Sequence, residues 1–287
     1  MSSVRILATA VAVAAAMSTA AVAADFPPAL PVQAPPPPPP SDSGWYLRGD
    51  VGVSVQKFDA FDHFQTNPTF VWPASWAIVQ KETDDSAFVD FGIGYQVNNW
   101  LRFDVTGEHR TAAKFKVVGS YTEFCAPGPT CFDQYDGSHS AEVLMLNAYL
   151  DLGTWWCLTP FVGAGVGGAL NTVSSVTDLG ITTTVPGFGY SSSDASNWNL
   201  AWSVQAGVDY NVSNNLKLEA AVRYLNLGSV KTPIVNCSSV GCSSPPNTGP
   251  SAYYTLTNFD SLDFRLGFRW LFQPEVPLYA PPLVRKG

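Results

Sequence analysis

SLDFRLGFRWLF, residues 261–272, alternates apolar and polar side chains almost without error. Successive side chains of a β-strand point to opposite faces, so this strand has one apolar face and one face that carries Asp263, Arg265 and Arg269. A soluble β-sandwich would bury the apolar face. A barrel in a bilayer would turn that face to lipid and its polar face to the lumen. The compartment and the strand connections must decide between the two.

Seven other stretches show the same period of two. Together with 261–272, the predicted strands are 45–56, 86–97, 100–110, 142–152, 158–168, 199–212 and 216–225. Short turns at 98–99, 153–157 and 213–215 alternate with long connections near 57–85, 111–141, 169–198 and 226–260. This rhythm is typical of outer-membrane barrels with periplasmic turns and long extracellular loops. We therefore predict an all-β fold, an eight-stranded antiparallel up-and-down transmembrane β-barrel, with both chain ends in the periplasm.

The N-terminal segment indicates export. Arg5 precedes an apolar run at 6–16, and Ala21-Val22-Ala23 offers an A-x-A cleavage site, so residues 1–23 are predicted to be a signal peptide. No later apolar run is long enough for a transmembrane helix, so the mature chain is expected to enter a membrane only as a barrel. The predicted order is a Pro-rich periplasmic spacer at 24–43, the barrel at 44–272 and a Pro-rich periplasmic tail at 273–287.

Composition points the same way. The formal net charge of −8 argues against nucleic-acid binding, which normally needs a basic face. Charged residues make up 13% of the chain, whereas soluble domains usually contain about 25%. A shortage of charge in an exported, strand-rich chain favours a surface that faces lipid.

The polar faces of the predicted strands carry basic and acidic residues in nearly equal number. Inside a narrow barrel such side chains can pair, so we predict an ion-pair network that fills the lumen instead of an open pore. The alternative is a set of solvated lumen residues with no special role. The predicted network comprises Arg48, Asp50, Asp90, Arg102, Asp104, Glu108, Asp209, Lys217, Glu219, Arg223, Asp263, Arg265 and Arg269, and Arg110 and Asp151 also point inward.

Aromatic residues collect at the ends of strands that are predicted to lie at the periplasmic rim. Tryptophan and tyrosine favour membrane interfaces, where the ring is half wet. The alternative is an ordinary aromatic core. The predicted interface aromatics are Trp45, Trp100, Trp155, Trp156, Tyr210, Trp270 and Phe272.

Four of the five cysteines form two close pairs within long connections. Cys125 with Cys131 and Cys237 with Cys242 are predicted to form local disulfides, as expected of an exported chain. A zinc site is the rival interpretation, although these loops lack a companion histidine cluster. Cys157 is left without a partner, as a buried or membrane-interface thiol.

Candidate catalytic groups are few. Ser138-His139 and Glu108-His109 are the pairings that suggest a membrane-surface hydrolase or acyltransferase, but sequence neighbours rarely face each other as a dyad. No catalytic residue, metal ligand or cofactor site is assigned. The first long connection is rich in aromatic residues, which favours contact with lipopolysaccharide or a partner, or packing among the loops.

The opening GWYLRGDVG (44–52), the segment TPFVGAGVG (159–167) and the aromatic last strand resemble the small outer-membrane β-barrel family. That family includes the OmpA membrane domain, OmpX and the opacity-type surface proteins of alphaproteobacteria, and the resemblance covers about four fifths of the chain. Family members commonly end on the aromatic of the last strand, whereas here 15 residues follow Phe272.

The resemblance implies a non-enzymatic, structural or surface-interaction protein. Its expected partners are outer-membrane lipid and lipopolysaccharide, peptidoglycan through the spacer and tail, and host or surface ligands through the four loops. A narrow channel for small solutes and a membrane-embedded lipid-modifying enzyme are the alternative functions.

Overall fold

The computed structural model describes residues 43–66, 72–123, 125, 128, 130–181, 187–237 and 251–272. All of them belong to one compact unit, Pro40–Glu275. The predicted signal peptide, the tail and all but the last residue of the spacer lie outside the described residues. The same holds for Cys242 and for the side chain of Cys237.

The described chain is built from β-strands. In chain order they are β1 (Gly44–Lys57), β2 (Ala60–Gln65), β3 (Ala77–Thr83), β4 (Ser86–Gln96), β5 (Leu101–Tyr121), β6 (Cys131–Asp151), β7 (Leu158–Gly180), β8 (Phe188–Ser191), β9 (Ala195–Asn211), β10 (Leu216–Asn226), β11 (Val230–Lys231), β12 (Val235–Cys237), β13 (Ala252–Thr257) and β14 (Asp260–Leu271). No helix among these residues is long and apolar enough to cross a membrane.

Eight of the strands close into a ring. The hydrogen-bonded order is β1, β4, β5, β6, β7, β9, β10 and β14, and β14 pairs back onto β1. Every pair is antiparallel, from β1 with β4 to β10 with β14. The predicted eight-stranded up-and-down barrel is therefore confirmed.

Side chains alternate across the barrel wall as the sequence pattern predicts. In β14, Asp263 and Arg269 are at most 1% exposed, whereas Leu266 is 65% exposed. This exposure pattern is the reverse of that in a water-soluble domain, in which leucine side chains are mostly buried and arginine side chains are mostly exposed to solvent. Such an arrangement is stable where the outer surface meets hydrocarbon.

Short turns connect the strands at one end of the barrel, here called the turn end, near residues 97–100, 152–157 and 212–215. In the first turn, the Asn98 side-chain oxygen accepts hydrogen bonds from the backbone N–H groups of Trp100 and Leu101, at 3.0 and 2.9 Å. Asparagine favours turns because its side chain can bond the backbone in this way. The opposite end, where the long connections lie, is the loop end.

The long connections are more regular than the sequence pattern predicts. Strands β5, β6 and β7 continue about eleven or twelve residues beyond the predicted strands, and β5 with β6 stays paired as far as Tyr121 and Cys131. A bulge between Arg110 and Ala113 breaks the alternation in β5. The extension also carries polar residues such as Lys114 on its outer face. The outward residues therefore stop being apolar well before the strand ends, and the sequence pattern places the end of the strand too early.

Small strands extend the wall further at the loop end. The sheet continues from β7 to β8, β12, β13 and β2, while β3 pairs with β5. A second bulge lies where β6 meets β7, between Asp136 and Ser138, and the nearby Ser175 has a φ of 55°. The loop end is thus a β-structured extension of the barrel.

Candidate functional site

The half of the lumen next to the turn end is a network of buried ion pairs. Arg48 on β1 lies at its centre, and its guanidinium nitrogens lie 2.9 Å from Asp50, 2.9 Å from Asp104 and 2.8 Å from Glu219. These carboxylates come from β1, β5 and β10, so one arginine connects three strands across the lumen. Charge-assisted hydrogen bonds of this kind are stronger than neutral ones.

Arg102 on β5 forms a second centre. It donates to Asp151 at 3.1 Å and to Glu219 at 3.4 Å, so it shares a carboxylate with Arg48. Its guanidinium also lies over two rings, 4.1 Å from the centre of Tyr149 and 4.6 Å from that of Phe161. Planar stacking of this type suits arginine better than lysine.

The remaining arginines complete the network. Arg265 lies 2.7 Å from Asp50 and 3.5 Å from Asp90, and Arg269 donates to Asp209. Closer to the loop end is a separate group in which Arg110 and Arg223 share Asp263 and Glu108.

Twelve of the thirteen predicted lumen residues therefore take part in ion pairs, together with Arg110 and Asp151. Lys217 is half-buried at the turn end and makes none of the ion pairs formed among the described residues.

Glycines on the inner wall make room for the large charged side chains. A Cβ at Gly267 would lie 2.1 Å from an Asp50 carboxylate oxygen, and one at Gly94 would lie 2.3 Å from the Tyr46 ring. Tyr46 uses that space to donate its hydroxyl to Asp104 at 3.1 Å. The alternation of small and large inner residues lets a narrow barrel hold four arginines in one network.

An apolar layer fills the lumen between the charged network and the loop end. It consists of Phe58, Phe61, Phe115, Val117, Tyr135, Ala141, Val143, Met145, Ala169, Val173, Val176, Ala201, Leu225, Leu227, Val230, Val235, Ala252, Tyr254, Leu256 and Phe259. Each of these side chains is at most 5% exposed. Buried side chains thus occupy both halves of the described lumen. Phe58 and Phe61 belong to the aromatic-rich first connection, for which the sequence allowed either contact with a ligand or packing among the loops. Both side chains pack inside the barrel.

A group of acidic and tyrosine residues lies on the loop-end side of the apolar layer and shares Tyr135 and Tyr254 with it. Asp133 on β6 and Asp178 on β7 point inward and are half-buried. Tyr254 donates to Asp178 at 2.8 Å, and the Tyr135 hydroxyl lies 3.5 Å from Asp133. Burial raises the pKa of Asp133 to about 6 and that of Asp178 to about 7. We call Tyr121, Asp133, Tyr135, Asp178 and Tyr254 the acidic mouth.

His63 on β2 lies next to the acidic mouth inside an aromatic cluster. Its ring centre is 4.1 Å from those of Trp72 and Trp76 and 5.3 Å from that of Tyr254. Burial lowers the pKa of His63 to about 3, so the imidazole is neutral at physiological pH. It therefore brings no positive charge to the neighbouring carboxylates.

Comparison with known proteins identifies the family. The model of the outer membrane protein beta-barrel domain matches residues 7–270. The chain belongs to this family. The barrel therefore lies in the outer membrane, and its exposed apolar wall is the surface that meets lipid.

The chain is similar to proteins of Brucella and Rickettsia and to a solved barrel of Pseudomonas. An uncharacterised protein of Brucella abortus (strain 2308) is 29% identical over 200 residues, which cover 64% of this chain and 68% of the relative. A candidate adhesin of Rickettsia prowazekii is 28% identical over 195 residues, covering 67% and 75%. Among solved structures, the outer-membrane protein OprG of Pseudomonas aeruginosa is 13% identical, with a TM-score of 0.46 and coverage of 81% and 98%.

The seven predicted interface aromatics all lie on the outside of this outer-membrane barrel at its turn end. Their exposed fractions run from 44% for Trp270 to 97% for Trp156. Trp45 packs edge-on against Tyr95 with ring centres 5.3 Å apart. The sequence pattern missed a second outward group nearer the loop end, where Trp202 lies 5.4 Å from Tyr224 and Trp198 is 66% exposed.

The cysteines of the outer-membrane barrel follow the prediction in part. Cys125 and Cys131 form the predicted disulfide, which joins the connection after β5 to the first residue of β6. Cys157 is a free, exposed thiol in the turn beside Trp156. Of the two settings that the sequence allowed, burial is therefore excluded and the membrane interface stays a prediction. Within the described part of the chain, no group of three or more His, Cys, Asp or Glu side chains could hold a metal ion.

Neither suggested catalytic pair is brought together. His139 points inward and accepts or donates a hydrogen bond with Asn171 at 2.9 Å, whereas the neighbouring Ser138 lies on the outer face of β6. His109 points outward and lies 2.5 Å from Glu142, whereas Glu108 points into the lumen. The alternation of a strand separates sequence neighbours, so neither pair forms a dyad.

Proposed function

We propose that this outer-membrane barrel is a non-enzymatic surface protein that contacts its ligands through the loop end. In this proposal the loop end faces the cell exterior, and the turn end and both chain termini face the periplasm. The observation that carries it is the filled lumen, with a charged network in one half and an apolar layer in the other. A barrel filled in this way is suited to serve as a rigid support for its loop end.

The build of the loop end supports this proposal. Three of the barrel strands extend far beyond the apolar band, and six short strands stabilise the connections between them. Rigid, β-structured loops lose little conformational entropy when they bind a partner. The positions of His109 and His139 on opposite faces of the wall favour a binding role over catalysis.

Two lysines support a contact with lipopolysaccharide. Lys114 and Lys116 lie on the outer face of β5, nine or more residues nearer the loop end than the apolar outward residue Val105. In the proposed orientation these ammonium groups lie at the height of the outer-leaflet headgroups, where they can pair with phosphate. The peptidoglycan contact of the spacer and tail rests on the sequence, since both segments lie outside the described residues.

The proposal is tested by two measurements on the full mature protein. In planar bilayers, the pure barrel is expected to show no stable, large unitary conductance. Cells that display it are expected to attach to surfaces coated with extracellular-matrix protein or lipopolysaccharide more than cells that lack it.

A matched variant replaces loop-end residues 192–194 with glycine and leaves the barrel strands intact. Attachment that is lost in this variant supports a loop-end role. Stable conductance would instead favour the small-solute channel, and equal attachment with and without the protein would refute the surface role.

A further inference from the structure

We infer that the outer face of the loop end binds the oligosaccharide of lipopolysaccharide through a strip of aromatic and aliphatic side chains. This inference rests on the proposed function, which places the loop end outside the cell, and deepens it by naming the part of the lipopolysaccharide that is recognised. The strip, here called the aromatic strip, consists of Phe64, Tyr253, Ile234, Tyr190, Phe188 and Leu179.

The first half of the aromatic strip lies on β2, β13 and β12. Phe64 pairs with Tyr253, and their rings are stacked with centres 5.1 Å apart. Val235 pairs with Ala252, so the preceding Ile234 lies beside Tyr253 on the outer face. Phe64 and Ile234 are 43% and 49% exposed, whereas the inward Val235 is buried.

The second half of the aromatic strip lies on β8 and β7. Tyr190 pairs with Asn236 of β12, and Phe188 pairs with Leu179 of β7. The ring centres of Phe188 and Tyr190 are 6.1 Å apart, and both side chains are more than 40% exposed. Neighbouring strands lie about 4.8 Å apart, so the strip runs roughly 20 Å around the barrel. It is therefore an extended surface and not a single exposed side chain.

The aromatic strip lies beyond the part of the wall that meets hydrocarbon. On β1 the apolar outward residues run from Trp45 to Val55, which is about 25 Å along the axis of a tilted barrel and matches the usual apolar band. β2 pairs with β13 in the register that β1 sets with β14, so the wall continues in the same direction. Phe64 comes nine residues after Val55, roughly 20 Å further from the turn end. The acyl chains of lipid do not reach apolar side chains at that height.

A polar tier separates the aromatic strip from the apolar band. On β7 the outward residues between Leu170 and Leu179 include Thr172, Ser174 and Thr177. From hydrocarbon to loop end, the outer wall therefore changes from apolar to polar and then to aromatic. A lipopolysaccharide molecule changes in a matching order, from acyl chains to a phosphorylated headgroup and then to an oligosaccharide. Elsewhere the polar tier carries charges of both signs, on Lys57, Lys231, Asp59, Asp62 and Asp194.

The chemistry of the aromatic strip suits sugar rings. A hexose presents C–H groups on its faces and hydroxyl groups at its edge, so it can stack on aromatic rings while it hydrogen-bonds to hydroxyl and amide side chains. Thr66, Ser251 and Asn236 lie in the row next to the strip, and the Ser251 hydroxyl donates to the Asn236 side-chain oxygen at 2.9 Å. The Asn236 side chain is exposed, so its amide N–H groups can reach a ligand that lies on the rings.

The size of the aromatic strip favours a carbohydrate over a second barrel. An aromatic side chain has about 150–250 Å² of surface, so six side chains that are half-exposed or less offer roughly 500 Å². A stable protein–protein interface buries about 800 Å² on each partner. An oligosaccharide needs less area, and lipopolysaccharide that covers the apolar band also carries its sugars past the strip. The occupant is therefore the lipopolysaccharide of the same membrane.

The test uses the full mature protein in detergent micelles and two forms of purified lipopolysaccharide as probes. One form keeps its complete oligosaccharide, and the other is trimmed to the acylated, phosphorylated headgroup. Native mass spectrometry of a mixture measures which form the protein retains. Wild type is expected to prefer the complete form about tenfold, and Phe64→Ser, Tyr190→Ser should lose this preference because two ring contacts are gone.

Two further variants serve as controls. Val79→Ser changes an apolar residue that is 59% exposed on β3, outside the strands of the aromatic strip, and should keep the preference. Lys114→Gln, Lys116→Gln should weaken both forms equally, because both carry the phosphates. A preference that survives in Phe64→Ser, Tyr190→Ser, or that Val79→Ser loses to the same extent, would overturn the inference. Wild-type dimers that become monomers in the strip variant would also overturn it, since a second copy would then cover the strip.

The two proposals fail in different ways. If displaying cells attach to coated surfaces but wild type retains both forms of lipopolysaccharide equally, the surface function stands and the aromatic strip is not its sugar site. If wild type prefers the complete form through the strip but displaying cells attach to nothing, the sugar contact exists and the surface function is wrong. Unchanged resistance of the variants to heat in detergent shows that they fold.

Discussion

Arg102 shows how one side chain is fixed inside the barrel by several weak restraints acting together. Its guanidinium bonds Asp151 and Glu219 while lying between the rings of Tyr149 and Phe161. The cost of burying the charge is offset only while these partners are present. The contribution of Arg102 to stability is therefore best measured with two variants, one that removes its positive charge and one that keeps the charge but removes the planar guanidinium.

Replacing Arg102 with methionine leaves the carboxylates of Asp151 and Glu219 short of a cation. The expected cost is about 3–5 kcal/mol in the free energy of unfolding, since breaking a buried ion pair leaves uncompensated charge. Arg102→Lys keeps the charge but loses the planar stacking, so it should cost less. Urea unfolding of protein refolded into lipid vesicles measures both.

Lys217→Met is the control for that series. Lys217 lies at the same end of the lumen but makes none of the described ion pairs, so its replacement should change the unfolding free energy by less than about 1 kcal/mol. A loss as large as that of Arg102→Met would show that charge alone, and not the paired geometry, stabilises the lumen.

The carboxylates of the acidic mouth should make the loop end less stable as pH rises. The pKa of Asp133 is raised to about 6 and that of Asp178 to about 7, both from 3.8. Between pH 4 and 7 the folded state therefore binds more protons than the unfolded state, and stability falls as these carboxyls ionise. We expect a loss of about 2 kcal/mol from pH 4.5 to pH 8, allowing for solvent screening at these half-buried groups.

Urea midpoints across this pH range, measured for wild type and for Asp133→Asn, Asp178→Asn, isolate the effect. The double variant should lose the part of the pH dependence that belongs to the mouth. Identical pH profiles for the two proteins would show that these carboxyls titrate normally.

At the scale of whole strands, the sequence pattern succeeds where alternation is unbroken. The predicted strands 45–56, 216–225 and 261–272 match β1, β10 and β14 to within one residue at each end. The pattern fails at the loop end, because the bulge after Arg110 shifts the alternation and the outer face there is polar.

Of the candidate site, the sequence predicts which residues face the lumen but not which of them contact each other. Alternation places Arg48 and Glu219 in the lumen, but their contact depends on how β1 and β10 face each other across the closed ring, which no local pattern encodes. The acidic mouth lies in a segment that was predicted to be a loop. The inward series Cys131, Asp133, Tyr135, His139 and Ala141 was the signal that could have found it.

The Cys125–Cys131 disulfide should stabilise one hairpin tip and leave the barrel unchanged. A closed ring of seven residues contributes roughly 2–2.5 kcal/mol by chain entropy. In Cys125→Ser, Cys131→Ser, amide hydrogen exchange should become faster at 117–121 and 131–135. Exchange at 101–107 and 144–150 should stay as in wild type. Faster exchange throughout both strands would show that the bridge supports the whole barrel.

At the scale of the whole molecule, the free thiol in a turn reports how the barrel is oriented. Cys157 is exposed at the turn end, so a bulky, membrane-impermeant maleimide should label it only after the cells are disrupted. A Ser192→Cys, Cys157→Ser variant moves the thiol to the loop end and should be labelled on intact cells. The reverse pattern would place the turn end outside.

The six arginines between Gly44 and Phe272 share one property, which is that each is at most 3% exposed. An endoprotease that cleaves after arginine therefore finds no accessible site in the folded barrel, whereas the unfolded chain offers all six. Digestion with such an enzyme would report membrane assembly directly. Assembled protein would stay as an intact barrel, whereas unassembled protein would be cut into a series of fragments. In a habitat rich in arginine-directed proteases, folding itself would protect this protein from degradation.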